Sequence, residues 1–191
     1  IPGALPNQAA PRPESPLYHT VLARQFIHFD AELALDYLSK AGLTRKDDKG
    51  FLLRPDGERL SFTIDTEGAD RFVILDAVIA YWRDLGIDVK ARNLQRNTFV
   101  SLREKNDHNA SAWGGDGGLD AMVIPINYLP MSADSSWFAT GWANWHVNPD
   151  SPDAIIPPAA VQKQLSLYNS LKETANAEKQ TQLMRDILDI S

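Results

Sequence analysis

Leu60-Ser-Phe-Thr-Ile64, a stretch over residues 70–85, Gly86, and then Ile87-Asp-Val-Lys-Ala-Arg92 decide the fold class of this chain. The last run alternates apolar and polar side chains with period two, as a strand with one buried face does. Between the two runs, Phe72, Leu75, Val78, Ile79 and Trp82 recur at helical spacing, which marks them as candidate buried positions. Gly86 suits the end of such a helix, because glycine takes a left-handed turn without a steric penalty. A third helix is expected over roughly residues 98–105, and Ala110 to Trp113 returns as a strand. Strand, helix, strand, helix, strand favours an α/β layer with crossover connections, here read as a mixed sheet flanked by helices.

Upstream, Phe51-Leu-Leu-Arg-Pro-Asp-Gly57 reads as one more strand entering a Pro-Asp-Gly turn before Leu60. Asp30 to Gly42 reads as a helix, with Asp30 accepting from free amides at its start and Gly42 closing it. Leu33, Tyr37, Leu38 and Ala41 share one face, expected to pack into the core. Residues 1–16 hold five prolines and read as an extended connector, while residues 17–29 are partly apolar without an assignable element. Residues 119–156 hold four prolines and Trp137, Trp142 and Trp145, with little periodicity; long irregular segments inside domains are often functional. From Pro157 two helices return. Val161, Leu165, Tyr168 and Leu171 keep helical spacing, and Leu183, Ile187 and Leu188 do so after a start signal at Asn176.

The composition narrows the function classes. At 191 residues and 43% hydrophobic, the chain can bury a core. Its charge of −6, with Lys and Arg scattered, argues against a nucleic-acid surface. No apolar run reaches the ~18–20 residues of a membrane helix. Cysteine is absent, which excludes disulfides, thiolate zinc sites and thiol nucleophiles. His19, His28, His108 and His146 form no helical His-x-x-x-His pair, and neither a calcium loop nor a phosphate-cradling Gly-Lys-Ser/Thr ending occurs. No cofactor, metal site or catalytic residue is assigned. The chain begins at Ile1 and stops within a helical pattern at Ser191, so it is expected to be a fragment of a longer protein.

One stretch stands out as a binding element: Trp113-Gly114-Gly115-Asp116-Gly117-Gly118. It leaves the carboxyl end of an expected strand, the edge where ligands bind in open α/β sheets. Glycines on both sides of Asp116 let backbone approach whatever the carboxylate meets. A partly buried carboxylate beside an indole suits the α-amino group of a small solute; a solvated aspartate in a glycine-rich turn is the other reading of the same residues. Trp137, Trp142 and Trp145 either line a pocket or pin their own segment to the domain. A hydrolase using Asp116 and Asp120 with His108 or His146 is a third possibility, but no nucleophile motif accompanies it.

Four segments in order then carry a family resemblance. Phe29-Asp30-Ala31-Glu32-Leu33-Ala34-Leu35 with Leu38 and Ala41-Gly42-Leu43 resembles the "Asp-Pro-Glu-Lys-Ala-Lys-x-Leu-Leu-x-x-Ala-Gly" helix of the peptide/nickel-type extracellular solute-binding proteins of ABC importers. Ala80 to Lys90 is similar to their helix-to-strand passage "x-x-Leu-x-x-x-Gly-Ile-x-Val". Trp113-Gly-Gly-Asp116 matches their Trp-x-x-Asp loop, and the stretch from Glu178 to Asp186 resembles their closing helical region. The sequence departs from the pattern in three places: Ala31 stands for the usual proline, Gly117-Gly118 follow the motif, and the 119–156 segment is longer and richer in tryptophan than in typical short dipeptide binders. The resemblance covers residues 17–191 and implies a type II periplasmic-binding-protein-like lobe, the second, ligand-binding lobe of a two-lobed receptor truncated at both ends. It implies a periplasmic, or extracytoplasmic and membrane-anchored, non-enzymatic protein. Its partners would be a peptide or other small solute, the N-terminal lobe of the same parent chain and ABC permease subunits. It gives the solute's α-amine to Asp116 only; Trp113, Gly114, Gly115, Gly117, Trp137, Trp142 and Trp145 are candidate neighbours from the reading of the residues themselves. Some relatives take oligosaccharides, so a sugar ligand is the alternative on the same fold.

Overall fold

A computed structural model describes residues 7–114, 118–136 and 138–191. The chain divides into two compact units, one formed by residues 1–28, 103–106 and 115–191, the other by residues 29–102 and 107–114.

The second unit holds the sheet. Strand β1 (Ser61–Thr66) lies between β2 (Asp88–Asn93) and β3 (Ala110–Ala112), in the order β2-β1-β3. All three described strands run parallel, with Ser61 opposite Asp88 through Thr66 opposite Asn93, and Ile64 opposite Ala110. Parallel neighbours need crossovers. These contain α3 (Ala69–Asp84) and α4 (Arg96–Glu104), so the third helix starts two residues before the expected position. Leu75 and Ile79 of α3 pack with Ile64, Ile87, Val89 and Leu52 in one apolar cluster. Gly86, which follows α3, has φ +93, and an added Cβ would lie 3.1 Å from the carbonyl oxygen of Gly50, so both conformation and space require glycine.

The stretch before β1 is less regular than its sequence suggests. The Pro-Asp-Gly turn forms, with Arg54 N–H donating to Glu58 O at 2.7 Å. The chain on either side makes only single bridges, Lys46 with Leu52 and Leu53 with Arg59. Leu52 N–H goes to Gly86 O and Leu53 N–H to Arg45 O, so these donors are not available to extend a hairpin ladder.

A second expectation fails at α2 (Ala31–Lys40). Asp30 caps it as read, its carboxylate accepting from Leu33 N–H at 2.8 Å. Yet the helix buries no residue: Leu33 is 41% exposed, Tyr37 51% exposed and Ala41 exposed, while Leu38 alone of that face packs partly against the apolar cluster. The pattern marks an amphipathic face correctly but cannot say how much of it a partner covers.

The first unit is helical. It contains α1 (Thr20–Arg24), a 3-10 turn (Pro125–Asn127), α5 (Thr140–Val147), α6 (Ala159–Glu173) and α7 (Ala177–Leu188). Its core joins Leu17, Leu22, Tyr128 and Leu129 to Tyr168 and Leu171 of α6 and to Met184, Ile187 and Leu188 of α7. Asn176 caps α7 by accepting from Lys179 N–H at 2.9 Å. The segment expected to be irregular thus contains a helix, α5. Gly141 in α5 accepts from Ile155 N–H at 2.9 Å. Arg103, nearly buried, ties this unit together: Nη1 donates to Ser136 O at 2.6 Å, Nη2 donates to Asp134 O at 2.8 Å, and its own carbonyl accepts from Thr140 Oγ1. Among the described residues no helix is long and apolar enough to cross a membrane.

Candidate functional site

Because the strands are parallel, all three carboxyl ends lie along one edge of the sheet, and α3 and α4 begin there. Thr66 closes β1 by donating from Oγ1 to Ala112 O of β3 at 3.0 Å, and Leu94 N–H, just past β2, donates to Thr66 O. Trp113 and Gly114 continue from β3 at this edge.

Trp113 is partly buried. Phe99 of α4, itself 2% exposed, stacks on it with ring centroids 5.1 Å apart and planes 19° apart. Two cations also lie on the indole: the guanidinium carbon of Arg71 is 4.7 Å from the ring centroid and that of Arg96 5.0 Å. Arg71 stands in the first turn of α3 and Arg96 begins α4. Arg71 Nη1 donates to Glu67 O, and Arg96 Nη1 is 3.6 Å from the Glu67 carboxylate. Gly68 gives Arg71 its place: its φ is +99, and a Cβ there would lie 3.1 Å from Arg71 Nη1. On the other side, Arg71 Nη2 is 3.8 Å from where a Cβ of Gly114 would stand, so the guanidinium lies beside Gly114.

A third arginine at the edge is committed elsewhere. Arg92 forks onto Asp65, with Nε and Nη2 at 2.7 and 2.9 Å from the two carboxylate oxygens. Asp65 is 3% exposed, and its hydrogen bonds hold the Arg92 guanidinium above its ordinary pKa.

Of the residues singled out from sequence, Trp113 and Gly114 stand at the sheet edge. Gly115, Asp116, Gly117 and Trp137 lie outside the described residues. Trp142 and Trp145 belong to the first unit, both partly buried and three residues apart on one face of α5. Arg71, Arg96 and Phe99 were not legible as site residues. Their signal was positional: each first-turn residue after a parallel strand sits at the carboxyl edge. Among the described residues no cluster of three His, Asp or Glu side chains forms a metal site.

The geometry has known counterparts. A model of the family described as bacterial extracellular solute-binding proteins, family 5 Middle, matches residues 2–137. The solved oligopeptide-binding protein OppA is 27% identical and superposes with a TM-score of 0.83 over 98% of this chain and 31% of its own. A periplasmic binding protein from Agrobacterium fabrum, MelB, in complex with stachyose is 16% identical, with a TM-score of 0.70 over 86% of this chain and 24% of its own. A mannohexaose-bound periplasmic oligopeptide-binding protein from Thermotoga maritima is 15% identical, with a TM-score of 0.68 over 96% of this chain and 33% of its own. The last two likenesses concern the fold alone. The chain therefore spans between 24% and 33% of each of these structures. No curated protein matches it in sequence.

Proposed function

This chain belongs to the bacterial extracellular solute-binding proteins of family 5, and from that premise we propose that it is part of the second lobe of a two-lobed receptor. The receptor captures a peptide or related small solute in the cleft between its lobes and hands it to an ABC permease in the membrane. It works outside the cytoplasm, in the periplasm or anchored to the outer face of the membrane. The family is a class of binding proteins, and no catalytic step is assigned to any residue.

The observation that carries the peptide reading is the likeness to OppA, which covers nearly the whole chain at 27% identity. The sheet edge supports it in chemistry. Trp113 and Gly114 follow β3, and Asp116 comes two residues later in the sequence. In this reading the Asp116 carboxylate pairs with an α-ammonium, a compact cation with three donors. Closing a second lobe over the pair removes water and strengthens it.

The test is calorimetry on the complete parent receptor with a short peptide and its N-acetylated form. Asp116→Asn is expected to weaken the free peptide several-fold or more, to leave the acetylated one unchanged and to leave the unfolding temperature of the empty receptor where it was. Unchanged affinity for the free peptide removes Asp116 from the site.

A second reading, an oligosaccharide receptor, is favoured by two neighbours that were solved with stachyose and mannohexaose. Trp142 and Trp145 on one face of α5 offer it aromatic surface. It predicts stabilisation of the parent receptor by neutral sugars and none by peptides.

A further inference from the structure

We propose that a cavity of the first unit, lined by Gln8, Gln25, Asn127, Tyr128, Phe138 and Gln164, is a binding site for a neutral sugar residue. The inference goes beyond the peptide reading and does not rest on Asp116 or on the sheet edge, since every residue named belongs to the first unit.

The cavity measures about 340 Å³, within the ~300–1,000 Å³ of small-molecule sites. Its polar lining is of one kind. Four side-chain amides face it, and among the described residues no charged side chain does. An ion entering it would leave water without finding a counter-charge, which is costly. A neutral ligand rich in hydroxyls avoids that cost and needs only hydrogen-bond partners.

Those partners are present. Gln164 of α6 is 5% exposed. Its Nε2 donates to Ile187 O at 3.0 Å and to Ser191 Oγ at 2.9 Å, so both of its N–H groups are used. A carbonyl only accepts, so Ile187 O fixes which end of the amide is the nitrogen. Gln164 Oε1 then has no donor among the described residues. An unmade bond at a buried acceptor is costly, and a ligand O–H directed at it removes that cost. Asn127 ends the 3-10 turn, is partly buried, and its side chain makes no hydrogen bond among the described residues. Its amide can both donate and accept. Gln25 caps the end of α1, and its carbonyl accepts from Gln8 Nε2 at 2.9 Å, which leaves the Gln25 amide and Gln8 Oε1 to the cavity. Amides with both functions around one buried acceptor suit neighbouring hydroxyls, each of which donates and accepts. An extended peptide is met chiefly by main-chain groups, whereas this lining offers side chains.

Aromatic surface completes the site. Tyr128 is buried, and Phe138, 38% exposed, stands at the cavity beside a strained turn. Ala139, the next residue, holds the left-handed conformation with φ 51 and ψ 48 although it carries a Cβ. Its carbonyl accepts from Trp142 N–H at 2.9 Å and Ala143 N–H at 3.1 Å, and Thr140 Oγ1 donates to Arg103 O at 2.9 Å. Strain of this kind persists where the surroundings fix it, and it concentrates at ligand sites.

The experiment is calorimetry on the complete parent receptor with glucose, galactose, maltose and raffinose, and with the charged sugars glucosamine and galacturonate. At least one neutral sugar is expected to bind, about tenfold or more tighter than either charged one. Phe138→Ala and Asn127→Ala should each weaken that sugar about fivefold or more, and Gln25→Ala about twofold. The Asn127 and Gln25 side chains make no hydrogen bond among the described residues, so these two variants should leave the unfolding temperature of the empty receptor where it was. Sugar binding that all three variants leave unchanged overturns the inference and moves the sugar elsewhere, with the oligosaccharide reading still standing. Equal affinity for neutral and charged sugars overturns it as well. If no sugar binds, this inference and the oligosaccharide reading both fall, and the peptide reading stands on its own test. If the variants weaken a glutamine-containing peptide and no sugar, the cavity takes a peptide amide and the sugar assignment falls.

Discussion

At the scale of single residues, His146 gives the first unit a pH dependence. Burial, and then repulsion from Lys172, hold its imidazole below the ordinary 6.5. The unfolded chain therefore binds a proton that the folded chain resists. The sign follows from linkage: stability is fully present above about pH 6.5 and declines as pH falls below it. Asp134 works at a lower pH. A hydrogen bond from Ser132 holds its carboxyl below the ordinary 3.8, so its contribution is lost only as pH falls below that value. Urea midpoints at pH 7.5 and 5.5 separate the two. The wild-type chain should lose more stability between these values than His146→Gln does. Equal losses would assign the slope to another histidine.

At the scale of elements, two helices carry the same kind of cap on different foundations. Asp30 accepts from Leu33 N–H at the start of α2, and Asn176 from Lys179 N–H at the start of α7. Replacing such a cap by alanine costs about 1 kcal/mol. Helix α7 buries Met184, Ile187 and Leu188 in the core of its unit, so Asn176→Ala should lower global stability by about that amount. Helix α2 buries nothing, so Asp30→Ala should speed hydrogen exchange within α2 and barely move the global midpoint. Equal global losses would show that α2 unfolds with the rest of its unit. The contrast also marks where the sequence could be read and where it could not. Period-two alternation over 87–92, helical spacing over 70–85 and the glycine at 86 are local signals, and they yielded β2, α3 and the turn between them. The face of α2 was visible as a stripe, but its coverage depends on distant residues. Helix α5 lacks an amphipathic stripe, so nothing separated it from the irregular chain around it. The Gly114-Gly-Asp-Gly-Gly118 stretch stood out by composition, but residues 115–117 lie outside the described residues. Arg71 and Arg96 did not stand out, because 25 residues separate them in the sequence and only the parallel pairing of β1, β2 and β3 brings them onto one indole.

At the scale of the whole molecule, the question is what the exposed apolar surface does in solution. In the second unit Phe29 is 79% exposed and Val73 68%, and Ile74, Tyr81 and Trp82 are exposed as well. An open groove of about 410 Å³ between α2 and α3 adds Tyr37, Leu38, Leu85 and Ile87. Contiguous apolar surface of this kind promotes association in isolated chains. The net charge of −6 opposes it by mutual repulsion at long range. Salt screens that repulsion beyond about 8 Å at 0.15 M, while apolar contact is unaffected at close range. The chain of 191 residues by itself should therefore show a mass by light scattering that rises with concentration, and rises more steeply at 0.5 M sodium chloride than at 0.02 M. Tyr81→Lys together with Phe29→Ser, which places a charge and a hydroxyl on that surface, should return the mass toward that of one chain. Phe29 and Tyr81 pack on each other with ring centroids 5.5 Å apart, so the pair tests one contiguous patch and not two. A constant monomer mass at high concentration in both salts would mean that these side chains are too dispersed to drive contact. A mass that falls with added salt would assign the association to charge.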